Sequence, residues 1–332
     1  MTPREIFMAK LVRGRAARPA VGSATSVVTA DLMDEAGVYF PKAHLDAEAM
    51  ARLAVASHTV LGFDNVMPLF SVWHESSALG CEVDWGDPLH MPDGGRTPLC
   101  PSIDSLPDVP PGFLSHPGCT VPLDALCRLK RELTDEVAIV GKVFGPWTLG
   151  YHVYGVQEFL ISTVLNPDAV KRAMDRLKQV TIRFAAAQVE AGADAMTLAD
   201  HCTRDLCSPE TYQSFLKDLH AELHERIPCP VILHICGDTS DRIPFIRETG
   251  LECFHFDSKV AAATARKLAG TRLSLMGGTS NFDIVRSGTP DGIAADVAEK
   301  IASGVDIIGP ECAVPLDAPW RNLQLIAAAT RG

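Results

Sequence analysis

His234 and Cys236 stand one residue apart at the end of the apolar run PVILHICG, and Cys312 follows a second apolar run, VDIIGPE. If both runs are strands, side chains two positions apart point to the same side. His234 and Cys236 then share a target, with Ile235 turned away. One imidazole and two thiolates form a soft donor set that selects zinc among the common ions, because zinc favours tetrahedral nitrogen and sulfur coordination. Three protein ligands with an exchangeable fourth position is the arrangement of a catalytic zinc, whereas structural sites are closed. Asp257, at the end of LECFHFD, is the nearest candidate for an additional weak or displaceable oxygen ligand. A His-x-Cys pair on a strand end, by itself, more often serves packing than metal binding. Cys312 at the matching end of a later strand, and Gly237 directly after the pair, weigh toward metal.

Other polar residues fall at the ends of apolar runs. Asp200 and His201 follow ADAMTLAD and are candidates to orient a substrate or a ligand, or to form a structural pair. Trp147, in GPWTLG, is a candidate to stack on a flat ligand or to act as an aromatic plug. Asn281 follows LSLMGG. Glu75, in WHESSALGCEVDWG, reads as a group supporting the site or as a surface helix residue. Trp147, Asp200, His201, Glu75 and Asn281 are the candidate substrate-binding set. Cys202 and Cys207 share a loop, which favours a role other than metal binding.

The elements that must position these residues form a rhythm from about residue 137. VAIVGKVFG, ADAMTLAD, PVILHICG, LECFHFD, LSLMGG and VDIIGP are short β-rich runs separated by helical sequence. They are nearly continuous in apolar residues, as expected where both faces of a parallel strand are buried. The clearest helix spans 167–191, with Val170, Met174, Leu177, Thr181 and Phe184 at three- and four-residue steps and Gly192 ending it. Strands alternating with helices of this length are repeated βα units. ARPAVGSA and LGFDNVMPLF supply two earlier strand candidates, for a total of eight. The economical fold is a single (βα)8 TIM barrel over 1–332, with an N-terminal extension and a long insertion loop. In such a barrel the chemistry sits at the carboxyl ends of the strands, where the candidate residues fall. No GxGxxG follows a strand, so nothing supports a dinucleotide fold. The Pro- and Gly-rich stretch 85–122 reads as a lid or partner-docking loop.

Composition narrows the function. Of 332 residues, 47% are hydrophobic, ample for a large core, and the net charge is −11 with no sustained basic run. That argues against nucleic-acid binding, which needs a basic face. No apolar run approaches the ~20 residues of a spanning helix, and the basic N-terminus lacks the apolar stretch of a signal peptide. The ten cysteines are therefore expected to be reduced thiols in a cytoplasmic protein.

Taken together, FDNVMPLFSVWHESSALGCEVDWG (63–86), GPWTLGYHVYGVQEFL (145–160), LADHCTRDLCSPETYQSF (198–215), LHICG (233–237) and the stretch 277–326 carry a resemblance. The chain resembles the uroporphyrinogen decarboxylase superfamily, and within it the cobalamin-dependent branch of methylcobamide:coenzyme M methyltransferases. The resemblance implies a βα barrel whose zinc is bound by His-x-Cys and a later Cys, which match His234, Cys236 and Cys312. It implies methyl transfer from a methylcorrinoid, carried by a small corrinoid protein, to a thiol such as coenzyme M, whose sulfonate needs a cation or backbone N–H groups. Zinc would deprotonate the acceptor thiol, whose ordinary pKa is ~8.5, and so make the nucleophile. Alternatives are a methylcorrinoid:tetrahydrofolate methyltransferase, a uroporphyrinogen decarboxylase-like protein, and a non-catalytic corrinoid- or zinc-binding protein. The decarboxylase fits poorly: no Arg lies between Arg18 and Arg52 to grip substrate carboxylates.

Overall fold

The computed structural model describes all 332 residues. Eight short parallel strands form the central sheet: β1 (Ala20–Val21), β2 (Asn65–Val66), β3 (Ala138–Phe144), β4 (Ala195–Ala199), β5 (Val231–His234), β6 (Cys253–Phe256), β7 (Ser274–Thr279) and β8 (Ile307–Pro310). Their lateral order is β1-β8-β7-β6-β5-β4-β3-β2, so the sheet curls into a nearly closed barrel. Each of the eight runs expected from sequence contributes one strand. Inner and outer faces are both buried, the outer by helices such as Pro167–Glu190. That helix starts on Asn166, whose side chain accepts the N–H of Ala169, and has Pro167 at its first position. Its stripe of Val170, Met174, Leu177, Thr181, Phe184 and Gln188 is buried. The N-terminal extension is a helix, Pro3–Leu11, packed against β1, β2, β3, β7 and β8. One core of 95 buried residues runs from Ile6 to Ala327, so this helix shares the barrel's interior packing.

The seam between β1 and β2 has no strand ladder, and side chains replace it. The Val21 N–H donates to Asp64 Oδ2 at 2.9 Å, and the Ser23 N–H donates to Asn65 Oδ1 at 3.0 Å. Asn65 Nδ2 returns a bond to the Ser23 carbonyl at 2.8 Å. Arg18 clamps both Asp64 oxygens at 2.7 Å, so the buried carboxylate is paired and hydrogen-bonded. Gly22 is required here, because a Cβ would stand 2.1 Å from Asn65 Oδ1.

The long insertion differs from the sequence expectation at its end. Val83–Asp84 and Asp93–Gly94 pair as a small antiparallel hairpin, and Cys100, Ile103 and Phe113 are buried. Residues 117–122 are not loop but the first turns of the helix Pro117–Leu133, capped by His116, whose ring nitrogen accepts the Gly118 N–H. Pro117 suits a first helical position. Pro122 reads as a breaker but is accommodated inside the helix.

Removing the seam's buried carboxylate strands Arg18 and the Val21 N–H. Asp64→Ala is expected to destabilise the fold by about 3–5 kcal/mol, read by urea denaturation. A loss below about 1 kcal/mol would mean the seam is held by packing alone.

Candidate functional site

Strand β5 ends in His234, and the chain runs on through Ile235 to Cys236. Both His234 and Cys236 line the cavity at the barrel mouth, while Ile235 does not. Gly237 then turns the chain at φ +81°, and a Cβ there would lie 2.2 Å from Thr203 Oγ1. Cys312 follows β8 by two residues and lines the same cavity. The three side chains converge: His234 Nε2 is 3.1 Å from Cys236 Sγ, Cys236 Sγ is 3.1 Å from Cys312 Sγ, and Cys312 Sγ is 3.4 Å from His234 Nε2. Of the two thiols, Cys312 is held well below the ordinary value, chiefly by the hydrogen bond from Cys236.

The protonation of His234 follows from its neighbours. His255, directly beside it in the β5–β6 register, has Nε2 2.8 Å from the Pro310 carbonyl. A carbonyl only accepts, so His255 Nε2 carries hydrogen. Burial, then the nearby His234, holds the His255 pKa well below the ordinary histidine value, so its ring is neutral and Nδ1 is an acceptor. His234 Nδ1, 2.7 Å away, must therefore donate to it. In the neutral tautomer this leaves the lone pair on His234 Nε2, the atom facing the two sulfurs. An imidazole oriented by a second group, beside two thiols at contact distance, fits a zinc ion.

Asp257 is outside this cluster. Its Oδ2 accepts the Gly237 N–H at 2.8 Å and its Oδ1 accepts the Lys259 N–H at 2.9 Å. Only His234, Cys236 and Cys312 bring ligand atoms within 4.8 Å of one another. Asp257 thus braces the turn after Cys236 and lies outside the cluster of His234, Cys236 and Cys312.

The cavity is about 210 Å3. Asp200 and His201 also line it, but Asp200 is fully engaged: Oδ1 accepts from the N–H and hydroxyl of Thr148, and Oδ2 pairs with His220 at 3.1 Å. His220 in turn reaches the Tyr212 hydroxyl at 3.0 Å. His201 is exposed in the cavity wall, its N–H fixed by Thr148 Oγ1.

Three sequence candidates do not line the cavity. Trp147 is fully buried, edge-on to Phe159 with centroids 5.1 Å apart, and its indole N–H bonds the Tyr151 hydroxyl. It is a plug and has no free face for a ligand. Asn281 donates to the Ala313 carbonyl at 2.9 Å, tying down the loop that carries Cys312. Glu311 reinforces this by accepting from the N–H groups of Ser258 and Asn281. Glu75 is buried with Oε1 accepting the Phe144 N–H, while Oε2 has no partner. Cys202 and Cys207 are also outside the cluster: the buried Arg242 guanidinium holds their loop by both backbone carbonyls. All ten cysteines are free.

Two groups escaped the sequence reading. His255 was visible only as a strand-end histidine, and its role depends on which strand lies beside β5. Lys142 was hidden inside VAIVGKVFG, yet a lysine in the middle of an apolar strand is itself a signal. It lines the cavity, buried, on the same face of β3 as Phe144.

Burial raises the Glu75 carboxyl to about 7, against two hydrogen bonds and Lys142 that lower it. The folded protein thus holds this proton more tightly than the unfolded chain, whose carboxyl titrates near 4.5. The resulting stability is complete below pH 4.5 and is lost as pH rises through about 7. Glu75→Gln is expected to remove that slope, worth up to about 3 kcal/mol, from unfolding free energies measured across this window. An unchanged slope would contradict the buried carboxyl's role. His255→Ala is expected to weaken zinc binding about 10–100-fold in competition with a chromophoric chelator; undiminished affinity would contradict the imidazole relay.

The family model of uroporphyrinogen decarboxylase (URO-D) matches residues 2–332. A methylated-thiol–coenzyme M methyltransferase of Methanosarcina mazei is 31% identical over 333 residues, covering 100% of this chain and 89% of that one. The methylcobamide:CoM methyltransferase MtaA of Methanosarcina barkeri is 29% identical, covering 93% of this chain and 91% of that one. A solved methyltransferase structure from Methanosarcina mazei superposes with a TM-score of 0.96 at 28% identity, covering 100% of this chain and 98% of the other. The chain belongs to the uroporphyrinogen decarboxylase family, and its full-length likenesses are to the methyltransferases within it.

Proposed function

We propose that this protein is a corrinoid-dependent methyltransferase that moves a methyl group from a methylcorrinoid, carried on a separate small protein, to a small thiol, using zinc held by His234, Cys236 and Cys312. The single observation that carries the reading is the convergence of His234 Nε2 on two thiols, at 3.1 and 3.4 Å, at the mouth of the barrel. Relatives named as CoM methyltransferases along the whole chain support the same reaction class. Zinc at this position would bring an incoming thiol to its thiolate form at neutral pH. The chain's own residues do the rest. His255 keeps the His234 lone pair directed at the centre, Asp257 and Gly237 fix the turn behind Cys236, and Asn281 and Glu311 fix the loop of Cys312. The apolar wall of Phe70, Val72, Met91 and Phe144 excludes water from the place where sulfur meets methyl.

Size supports a small acceptor. A cavity of about 210 Å3 has room for about seven waters at ~30 Å3 each, enough for a short thiol. A folate or a tetracarboxylate porphyrinogen exceeds it, and no arginine lines it to grip carboxylates. Arg18, the last arginine before the long Arg-free stretch, is committed to Asp64. The hairpin and loop beyond Asp84 place Met91 in the cavity wall and leave Leu89 70% exposed at the rim, a suitable surface for the corrinoid carrier. No helix is long and apolar enough to cross a membrane, consistent with a cytoplasmic enzyme.

The test is a spectrophotometric assay of the zinc-loaded protein with methylcobalamin and candidate acceptors. Cob(I)alamin is expected to appear with a small thiol and not with tetrahydrofolate. His234→Ala and Cys312→Ser are expected to lose both bound zinc and turnover. Turnover with folate alone, or none with any acceptor, would overturn the reading; the latter would favour a binding protein.

A further inference from the structure

Lys142 is the single lysine or arginine lining the cavity, and its placement is built rather than incidental. It lies in the middle of β3, a strand buried along its whole length. From outside the barrel, Gln188 locks its backbone with two bonds, accepting its N–H at 2.9 Å and donating to its carbonyl at 2.8 Å. Gly141 beside it permits this approach, since a Cβ would lie 2.6 Å from Gln188 Oε1. The strand is thereby fixed with Lys142 and Phe144 inward, one step apart along the cavity wall. Inside, the ammonium has no hydrogen bond and no ion pair with the chain, and the Phe144 ring lies 5.5 Å away to its centroid. Glu75, which does not line the cavity, and Cys312 attract it from beyond ion-pair reach. Asp200, the carboxylate of the wall, is saturated by Thr148 and His220. His44 and His74, which sense the same charge, are buried and held in the neutral form by desolvation and by charge repulsion that includes Lys142.

A buried ammonium without a counter-ion is costly, and the group that would satisfy it must come from the cavity. We propose that Lys142 is the anion anchor of the acceptor site. Resting on the thiol-acceptor reading above, the cavity takes a short thiol acid. Its sulfonate or carboxylate meets the Lys142 ammonium, and its sulfur reaches the centre formed by His234, Cys236 and Cys312. The distal acid, not the sulfur, then selects among thiols of equal length. The protein's overall charge of −11 repels anions at long range, so this one buried cation carries their recognition.

The experiment compares wild type and Lys142→Met, both zinc-loaded, in two measurements. In the methyl-transfer assay, KM for 2-mercaptoethanesulfonate is expected to rise about 10–100-fold in the variant, while KM for 2-mercaptoethanol and the zinc content stay within about twofold. By calorimetry, wild type is expected to bind the thiol-free anion ethanesulfonate or propionate, and the variant to lose that binding by a similar factor. Equal KM changes for the acidic and neutral thiols, or no anion binding by wild type, would overturn the anchor. Anion binding that depends on Lys142, in a protein transferring methyl groups to no thiol, would sustain the anchor and refute the thiol-acceptor reading. Lys142→Gln provides the same comparison if the Met variant does not fold.

Discussion

The Pro310 carbonyl can only accept a hydrogen bond, and that limitation runs through two imidazoles to the atom that faces the sulfurs. His255 must present hydrogen to Pro310, so it presents a lone pair to His234, so His234 presents a lone pair to the thiols. The arrangement works only while both rings are neutral. A further proton on His255 would set two N–H groups against each other across 2.7 Å, and burial opposes that charge; one on His234 would take the Nε2 lone pair that faces the sulfurs. Three strands hold the relay: β5 carries His234, its neighbour β6 carries His255, and Pro310 closes β8, which lies beyond β7 and ends two residues before Cys312. The fold and the protonation state of the centre are therefore one constraint. Shifting the β5–β6 register by one residue would turn a ring to the wrong face and undo it.

The inner surface is governed from outside the barrel and from its loops. Gln188, on an outer helix, fixes the backbone of Lys142. His220, also on a helix, anchors Asp200, which fixes Thr148 and through it the N–H of His201. Arg242 pins the loop of Cys202 and Cys207 by its carbonyls. Gln188 and Arg242 are spent on backbone, and Asp200, itself in the cavity wall, is spent on Thr148 and His220. Asp200 looks in sequence like a catalytic candidate, because it is a polar residue at a strand end, yet its hydrogen-bonding capacity is already used.

This explains which parts of the protein were legible in the sequence. The strands were readable because parallel strands buried on both faces form apolar runs, and even the two-residue β1 and β2 lie within the runs expected. The convergence of His234 and Cys236 was readable because His-x-Cys places two donors on one side of a strand by geometry alone. Trp147, Glu75, Asn281 and Asp257 were not, since their partners are remote in sequence: Phe159 and Tyr151 aside, the decisive contacts come from other strands' loops. His255 needed the knowledge of which strand lies next to β5. The helix Pro117–Leu133 was concealed by Pro122, whose ordinary effect on a helix is overridden by burial of Cys119, Ala125, Leu126 and Leu129 along one side.

The side-chain seam between β1 and β2 has a consequence for the order of assembly. Because those two strands form no ladder with each other, β1 is held in the sheet chiefly through β8, with Ala20 opposite Ile307. The first strand synthesised thus waits for the last before the cylinder can close. Cys312 emerges only after β8, so the three sulfur and nitrogen donors cannot meet on a nascent chain. Cys236 must pass through synthesis without Cys312, and the full donor set is completed at the close of folding rather than serving as its nucleus.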